Sequence, residues 1–250
     1  VPNLNKIWYI KKKFLQSYYW VMVYKYSIII PCYNEESTVF DVVDEICEKF
    51  YDTYVVVVDD GSTDRSLDEL NKVKHSNLNI LKLSENQGKG KAMRTGLDKV
   101  KKVSDIVIFT DADKEILIKD LSKVFEYYEN NNVDAVFGSR FLTISLKKIF
   151  QMGLHRYVAN KTLTLITNLI YKQKLTDMET AVKSFKTSLI NTLGLKSDGF
   201  DIEPEIVKAL SKARVKINEI PINYEPRTSK EGKKISFKDG LITLIYLLKK

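Results

Sequence analysis

The sequence predicts an α/β fold, a doubly wound and mostly parallel sheet with helices on both faces. Two observations carry this. Short β-branched runs alternate with segments whose apolar residues recur at helical spacing. Three of those runs then end in compact polar clusters, at the strand ends where open α/β sheets bind ligands. With 250 residues, 44% of them hydrophobic, the chain can bury one large α/β core or two small ones.

The elements follow in order. Residues 26–30 are a short β-branched run stopped by Pro31. Val39, Val42, Val43, Ile46 and Phe50 then recur at helical spacing. Residues 54–58 are continuously apolar, the mark of a strand buried on both faces. They end at Asp59-Asp60-Gly61-Ser62, a turn in which Ser62 or Thr63 is placed to cap the next helix. Residues 78–83 make a third strand, and a helix follows Gly90. Residues 106–110 make a fourth strand, which ends at Asp111. Ile118, Leu121, Val124, Phe125 and Tyr128 mark another helix, and residues 135–138 a fifth strand. The second half is less regular: a long helix over 156–171, a strand over 181–185, and a helix over 202–210 with Pro204 in its first turn. Residues 216–224 are extended and interrupted by Pro221, and a basic loop over 227–234 leads to a final amphipathic helix.

Composition removes several function classes. Two cysteines, Cys32 and Cys47, cannot form a disulfide framework, and they suit a reducing, cytoplasmic compartment. No zinc pattern is present, and His75 and His155 read as surface or packing residues. No segment approaches the ~20 apolar residues that span a bilayer. The net charge of +8 suits nucleic acid, acidic lipid head groups or phosphorylated substrates, but no nucleic-acid motif supports the first. Residues 1–25 form a basic, aromatic extension without a signal-peptide cleavage site. It reads either as an arm resting on a membrane or as sequence upstream of a start at Met22. In the final helix Leu241, Leu244, Ile245 and Leu248 share a face that suits a bilayer or the core equally.

The polar clusters define the candidate chemistry. Asp111-Ala112-Asp113 places two carboxylates one residue apart at a strand end, where they can converge on a hard cation such as Mg²⁺ or Mn²⁺; Glu115 is close enough to join. The alternative is an acidic turn that merely ends the strand. Asp60, after Val58, can accept hydrogen bonds from a base or ribose. Asn86-Gln87-Gly88-Lys89-Gly90-Lys91 is a basic glycine-rich loop before a helix, able to hold phosphate on backbone N–H groups and lysine. It lacks the third glycine of a dinucleotide fingerprint and the Walker spacing, which speaks against a nicotinamide-dependent oxidoreductase. Arg140, Arg227, Lys233 and Lys234 are cations suited to a diphosphate or an acceptor phosphate.

Together these stretches resemble the family 2 inverting glycosyltransferases of the GT-A fold. Within them the chain is similar to the dolichyl- and polyprenyl-phosphate sugar synthases and their bacterial relatives. The matching stretches begin Ser27, Val55, Asn86, Asp111 and Gly138, with weaker matches at residues 176–180 and 227–234. The resemblance implies a nucleotide-sugar donor (a UDP- or GDP-sugar), with Pro31, Tyr33, Glu35, Val58 and Asp60 lining the nucleoside pocket. It places Asp111, Ala112 and Asp113 at the diphosphate and metal, Glu115 where the family often has a glutamine ligand, and Arg140, Arg227 and Lys233 on the donor's phosphates or sugar. The chain departs from the lipid-phosphate synthases at residues 177–183, where their Ser-Gly-Phe-Arg type of sequence is absent.

The expected reaction is in-line displacement with inversion. If the acceptor is a polyprenyl or dolichyl phosphate, its oxygen is already ionised and no strong base is required. If it is a saccharide hydroxyl, a carboxylate must take the proton, and Asp177 and Glu179 are the candidates. A non-catalytic nucleotide-sugar-binding subunit is the rival reading. The expected location is the cytoplasmic face of a membrane, in peripheral contact.

Overall fold

The computed structural model describes residues 24–227 and 237–248. The N-terminal extension through residue 23 and the basic loop over 228–236, with Lys233 and Lys234, lie outside the described residues.

Seven strands form one sheet: β1 (Tyr24–Cys32), β2 (Tyr54–Asp59), β3 (Leu78–Lys82), β4 (Ser104–Phe109), β5 (Ala135–Ser139), β6 (Lys183–Lys186) and β7 (Ile217–Pro221), in spatial order β3-β2-β1-β4-β6-β5-β7. β1 pairs in parallel with β2 and β4, and β2 with β3. β6 runs antiparallel to both β4 and β5, and β5 is parallel to β7. The carboxyl ends of β1, β2, β4 and β5 therefore share one edge of the sheet. The doubly wound α/β reading holds, with one reversed strand that the residue pattern did not reveal.

The helices are α1 (Val39–Lys49), α2 (Ser66–Leu70), α3 (Lys89–Val100), α4 (Ile118–Asn130), α5 (Leu146–Met152), α6 (Leu154–Tyr171), α7 (Ile190–Leu193), α8 (Ile202–Lys212) and α9 (Phe237–Leu248). The apolar spacing expected for α1 buries Val39, Val42, Val43, Ile46 and Cys47 against one face of the sheet, with α4 beside them. On the other face α3 packs Ala92, Met93 and Leu97 over Ile29, Val56 and Val58, and α8 adds Ile206 and Val207. Val55 to Val58 are all sealed from solvent, as a doubly covered strand requires. α9 lies against α6 and α8. Its Leu247 is buried while Leu241, Ile242, Ile245 and Leu248 stay exposed, so this helix both packs on the core and presents an apolar face outward. No helix among the described residues is long and apolar enough to cross a membrane.

Candidate functional site

The ends of β1 and β2 are stitched together by Asn34, whose φ is 52°. Its N–H donates to Ser62 Oγ at 2.9 Å, and its Oδ1 accepts from the Thr63 N–H at 2.8 Å. Ser62 and Thr63 therefore join two strand ends and do not cap α2. Just ahead of α2, Asp64 Oδ1 takes the Ser66 N–H at 2.9 Å in a local turn.

Asp60 is nearly sealed, and its carboxylate accepts the N–H groups of Gln87 and Gly88 at 2.9 and 2.8 Å. Burial raises its pKa, and the two N–H donors oppose that rise. The glycines of this loop serve close packing. A Cβ on Gly88 (φ 100°) would lie 2.4 Å from the Asp198 carbonyl oxygen, and one on Gly90 2.4 Å from that of Ser197. The expected phosphate cradle is thus corrected for Gln87 and Gly88, whose N–H groups are already used. Lys89 alone carries the loop's charge into the centre. Its Nζ lies 2.9 Å from Asp111 Oδ1 and 3.0 Å from Glu203 Oε1.

Asp111 and Asp113 stand at the end of β4. The segment after β7 crosses them: Tyr224 bridges Ile116, the Glu225 N–H donates to the Glu115 carbonyl at 2.8 Å, and buried Asp120 accepts the Asn223 N–H at 2.6 Å. This path delivers Arg227. Its guanidinium holds Glu35 at 2.9 and 3.2 Å and Asp113 at 3.1 Å. Burial, with Asp111 and Glu115 nearby, pushes the Asp113 carboxyl up to about 7 although Arg227 opposes it. Glu115 accepts the Arg227 N–H at 2.8 Å and the Tyr224 hydroxyl at 3.3 Å. It fastens the crossing segment, and the three carboxylates expected at a metal do not converge: among the described residues no group of three or more candidate ligands is assembled. Pro31 and Tyr33 lie at the same edge, half-buried. The side chains of Val58 and Ala112, expected at the donor, pack into the core instead.

Arg140 ends β5. Its Nε and one terminal nitrogen each reach an oxygen of Asp177 at 2.7 Å, and its backbone N–H adds a third bond at 3.0 Å. The guanidinium sits over the rings of Phe141 and Tyr224. Glu219 of β7 accepts the N–H groups of Thr176 and Asp177, which fixes the loop that carries the carboxylate. Asp177 is fully buried, and both of its oxygens are taken up by Arg140. Glu179 differs: its Oε1 is sealed without a partner among the described residues. Burial and the Glu203 charge raise its pKa to about 7, against Lys183, Arg140 and Lys89.

Two functional candidates escaped the sequence reading. Lys183 of β6 is fully buried, donates to the Thr180 carbonyl at 2.5 Å and pairs with Glu203 of α8. Burial would raise the Glu203 pKa, yet Lys183 and Lys89 together pull it down to about 2. Asp111, Lys89, Glu203 and Lys183 thus form a chain of alternating charge that runs from the strand edge into the interior. A lysine inside an apolar strand was the only signal in the sequence.

The chain is similar to known proteins over most of its length. The model of the family described as "Glycosyl transferase family 2" covers residues 27–194. The chain belongs to glycosyl transferase family 2. A Methanococcus voltae UDP-N-acetylglucosamine–dolichyl-phosphate N-acetylglucosaminyltransferase is 31% identical to it over 212 residues, covering 78% of this chain and 83% of the relative. The dolichyl-phosphate beta-glucosyltransferase of Dictyostelium discoideum is 27% identical, covering 84% and 68%. Among solved structures, the glucosyl-3-phosphoglycerate synthase of Mycobacterium tuberculosis, in complex with Mn²⁺, UDP and phosphoglyceric acid, superposes with a TM-score of 0.68. It covers 90% of this chain and 78% of its own at 17% identity, which shows a shared GT-A fold. The protein is therefore a glycosyltransferase, and the family resemblance read from the motifs is confirmed.

Glu179 gives this glycosyltransferase a testable pH signature. Unfolded, its carboxyl releases a proton near pH ~4.3; folded, it holds it up to about 7. The folded state therefore binds more protons across that window, and stability falls as pH rises through it. Glu179→Gln should remove this loss, so the drop in thermal midpoint from about pH 5 to about pH 8 shrinks. An unchanged drop in a denaturation series would reject the assignment.

Proposed function

We propose that this glycosyltransferase moves a sugar, with inversion, from a nucleoside diphosphate to a polyprenyl or dolichyl phosphate at the cytoplasmic face of a membrane, in peripheral contact with it. The observation that carries the reading is the closed Arg140–Asp177 pair. It keeps a buried cation at the end of β5 and ties up the Asp177 carboxylate, one of the two base candidates. A phosphate monoester is largely ionised near neutrality and needs charge recognition, not deprotonation. The names of the Methanococcus and Dictyostelium relatives support the same acceptor class.

On the donor side, Glu35 and Asp60 would address the nucleoside, with Pro31 and Tyr33 beside them. Arg227 would take the diphosphate: its Nε is buried without an acceptor among the described residues, a donor in want of an anion. Asp111 and Asp113 fit a hard cation, since their donors are carboxylate oxygens crowded enough to raise Asp113. Mg²⁺ or Mn²⁺ held there would offset charge on the departing diphosphate. Lys89 and Arg227, which neutralise these carboxylates now, would turn to the phosphates instead. Arg227→Ala should raise the KM for the nucleotide sugar by about tenfold to a hundredfold, the worth of one or two charged hydrogen bonds. Steady-state kinetics with the donor varied would check this, and an unchanged KM would count against the role.

A second reading has its own observation. Glu179, lifted to about 7 with an unpartnered oxygen, is poised as a general base for a saccharide hydroxyl. The deciding experiment offers UDP- and GDP-sugars with Mg²⁺ or Mn²⁺ to a polyprenyl phosphate and, separately, to oligosaccharides, with products identified by mass. Transfer confined to the oligosaccharides would overturn the lipid-phosphate reading.

A further inference from the structure

We propose that the outward faces of α5 and α6 form a docking surface for an anionic bilayer, seating the acceptor side of the site on the membrane; this rests on the lipid-phosphate reading above. On α5, Leu146 and Phe150 are 75% and 72% exposed. On α6, Leu154, Val158, Leu165 and Leu169 are 53–73% exposed. Their spacing places each set on one side of its helix. Six large apolar side chains on two consecutive helices exceed the scattered exposure of an ordinary surface.

α6 also borders the site, through Asn160 on its opposite side and through Tyr157 and Lys161 along one flank of the apolar face. Asn160 accepts from Arg140 at 3.4 Å, Lys161 donates to the Thr176 carbonyl at 3.2 Å, and Tyr157 packs edge-on against Phe141. A surface resting on the outer face of α6 is therefore one helix thickness from Arg140.

Charge selects the occupant. From Ala135 to Thr176 the chain contains no Asp or Glu, while Lys147, Lys172 and Lys174 are exposed. Lys148 is paired with Glu225, which lies outside this stretch. An apolar face rimmed by lysines, on a stretch that itself carries no carboxylate, complements anionic head groups. It opposes a second copy of itself, which would bring the same positive rim.

The test is co-sedimentation of the full chain with vesicles of phosphatidylcholine alone or mixed with phosphatidylglycerol. Binding to the mixed vesicles, weakened by salt, is expected. Phe150→Glu with Leu165→Glu, both at exposed positions, should lower the bound fraction at least about tenfold while transfer to a short, detergent-soluble polyprenyl phosphate continues. Retained vesicle binding by this variant would overturn the surface, as would no binding by the wild type. So would a wild-type dimer in light scattering that the variant converts to monomer. Vesicle binding abolished by the variant, with no lipid phosphate ever accepting sugar, would support the surface and sink only the acceptor assignment.

Discussion

Asp113→Asn should lower sugar transfer by about two to three orders of magnitude, the loss typical when one preorganised electrostatic group is removed from a transition state. The amide matches the carboxylate in size, so the end of β4 keeps its shape. What disappears is a negative oxygen that, on the proposed reading, would face the cation and the diphosphate. The same change should not lower stability. In the folded chain Asp113 is pushed up to about 7 by burial and by Asp111 and Glu115. An acid raised in this way costs stability above its unfolded pKa, and that cost is complete once the pH passes about 7. A neutral amide removes it. The thermal midpoint of the variant at about pH 8, without metal, should therefore equal or exceed that of the wild type, while its initial rate collapses. A variant that keeps its rate within about tenfold at saturating Mg²⁺ and Mn²⁺ would remove Asp113 from the reaction. A variant with lost activity and a sharply lowered midpoint would make Asp113 a structural residue.

What the sequence revealed and concealed follows from range. Val55 to Val58 declared a doubly covered strand because burial on both faces leaves an unbroken apolar run. The acidic ends of β2 and β4 were legible because parallel strands bring their ends to one edge whatever the connections between them. Arg227 was legible as a motif residue, but its contact with Glu35 spans 192 residues of chain. The bridge from Tyr224 to Ile116 and the hydrogen bonds of Asn223 and Glu225 bring it there. Asp177 looked like a base because a carboxylate in a loop reads as available. Its closed pair depends on Arg140 arriving from β5 and Glu219 from β7, which no local pattern encodes. The reversal of β6 was hidden for another reason: alternation along a four-residue strand does not record its direction.

The second large effect lies in the buried charge chain. Glu203→Gln should destabilise the fold by about 3–5 kcal/mol, because it removes the negative charge paired with the fully buried Lys183 ammonium and leaves it only neutral contacts such as the Thr180 carbonyl and the Phe137 ring. For a chain of this size that corresponds to a fall in thermal midpoint of about 6–20 °C. Lys89 loses less, since Asp111 still holds it at 2.9 Å. The pH dependence carries a definite sign. Folded Glu203 titrates at about 2, well below the ordinary 4.5. Its stabilising contribution is therefore complete above about pH 4.5 and is lost as the pH falls toward about 2. In the glutamine variant that acid-induced loss should be missing, so the two stability curves converge in acid. The double replacement Lys183→Met with Glu203→Leu separates charge from packing. If the cost of the single change is an uncompensated buried ammonium, an apolar pair of similar volume should recover most of it. If the double variant unfolds as readily as Glu203→Gln, the pair holds α8 on β6 by shape and its hydrogen bonds, and charge compensation is not the cause. Activity supplies an independent readout. Lys89 spans Asp111 and Glu203, so a stably folded double variant should still show a changed metal requirement, because the lysine that now divides itself between two carboxylates would belong to Asp111 alone.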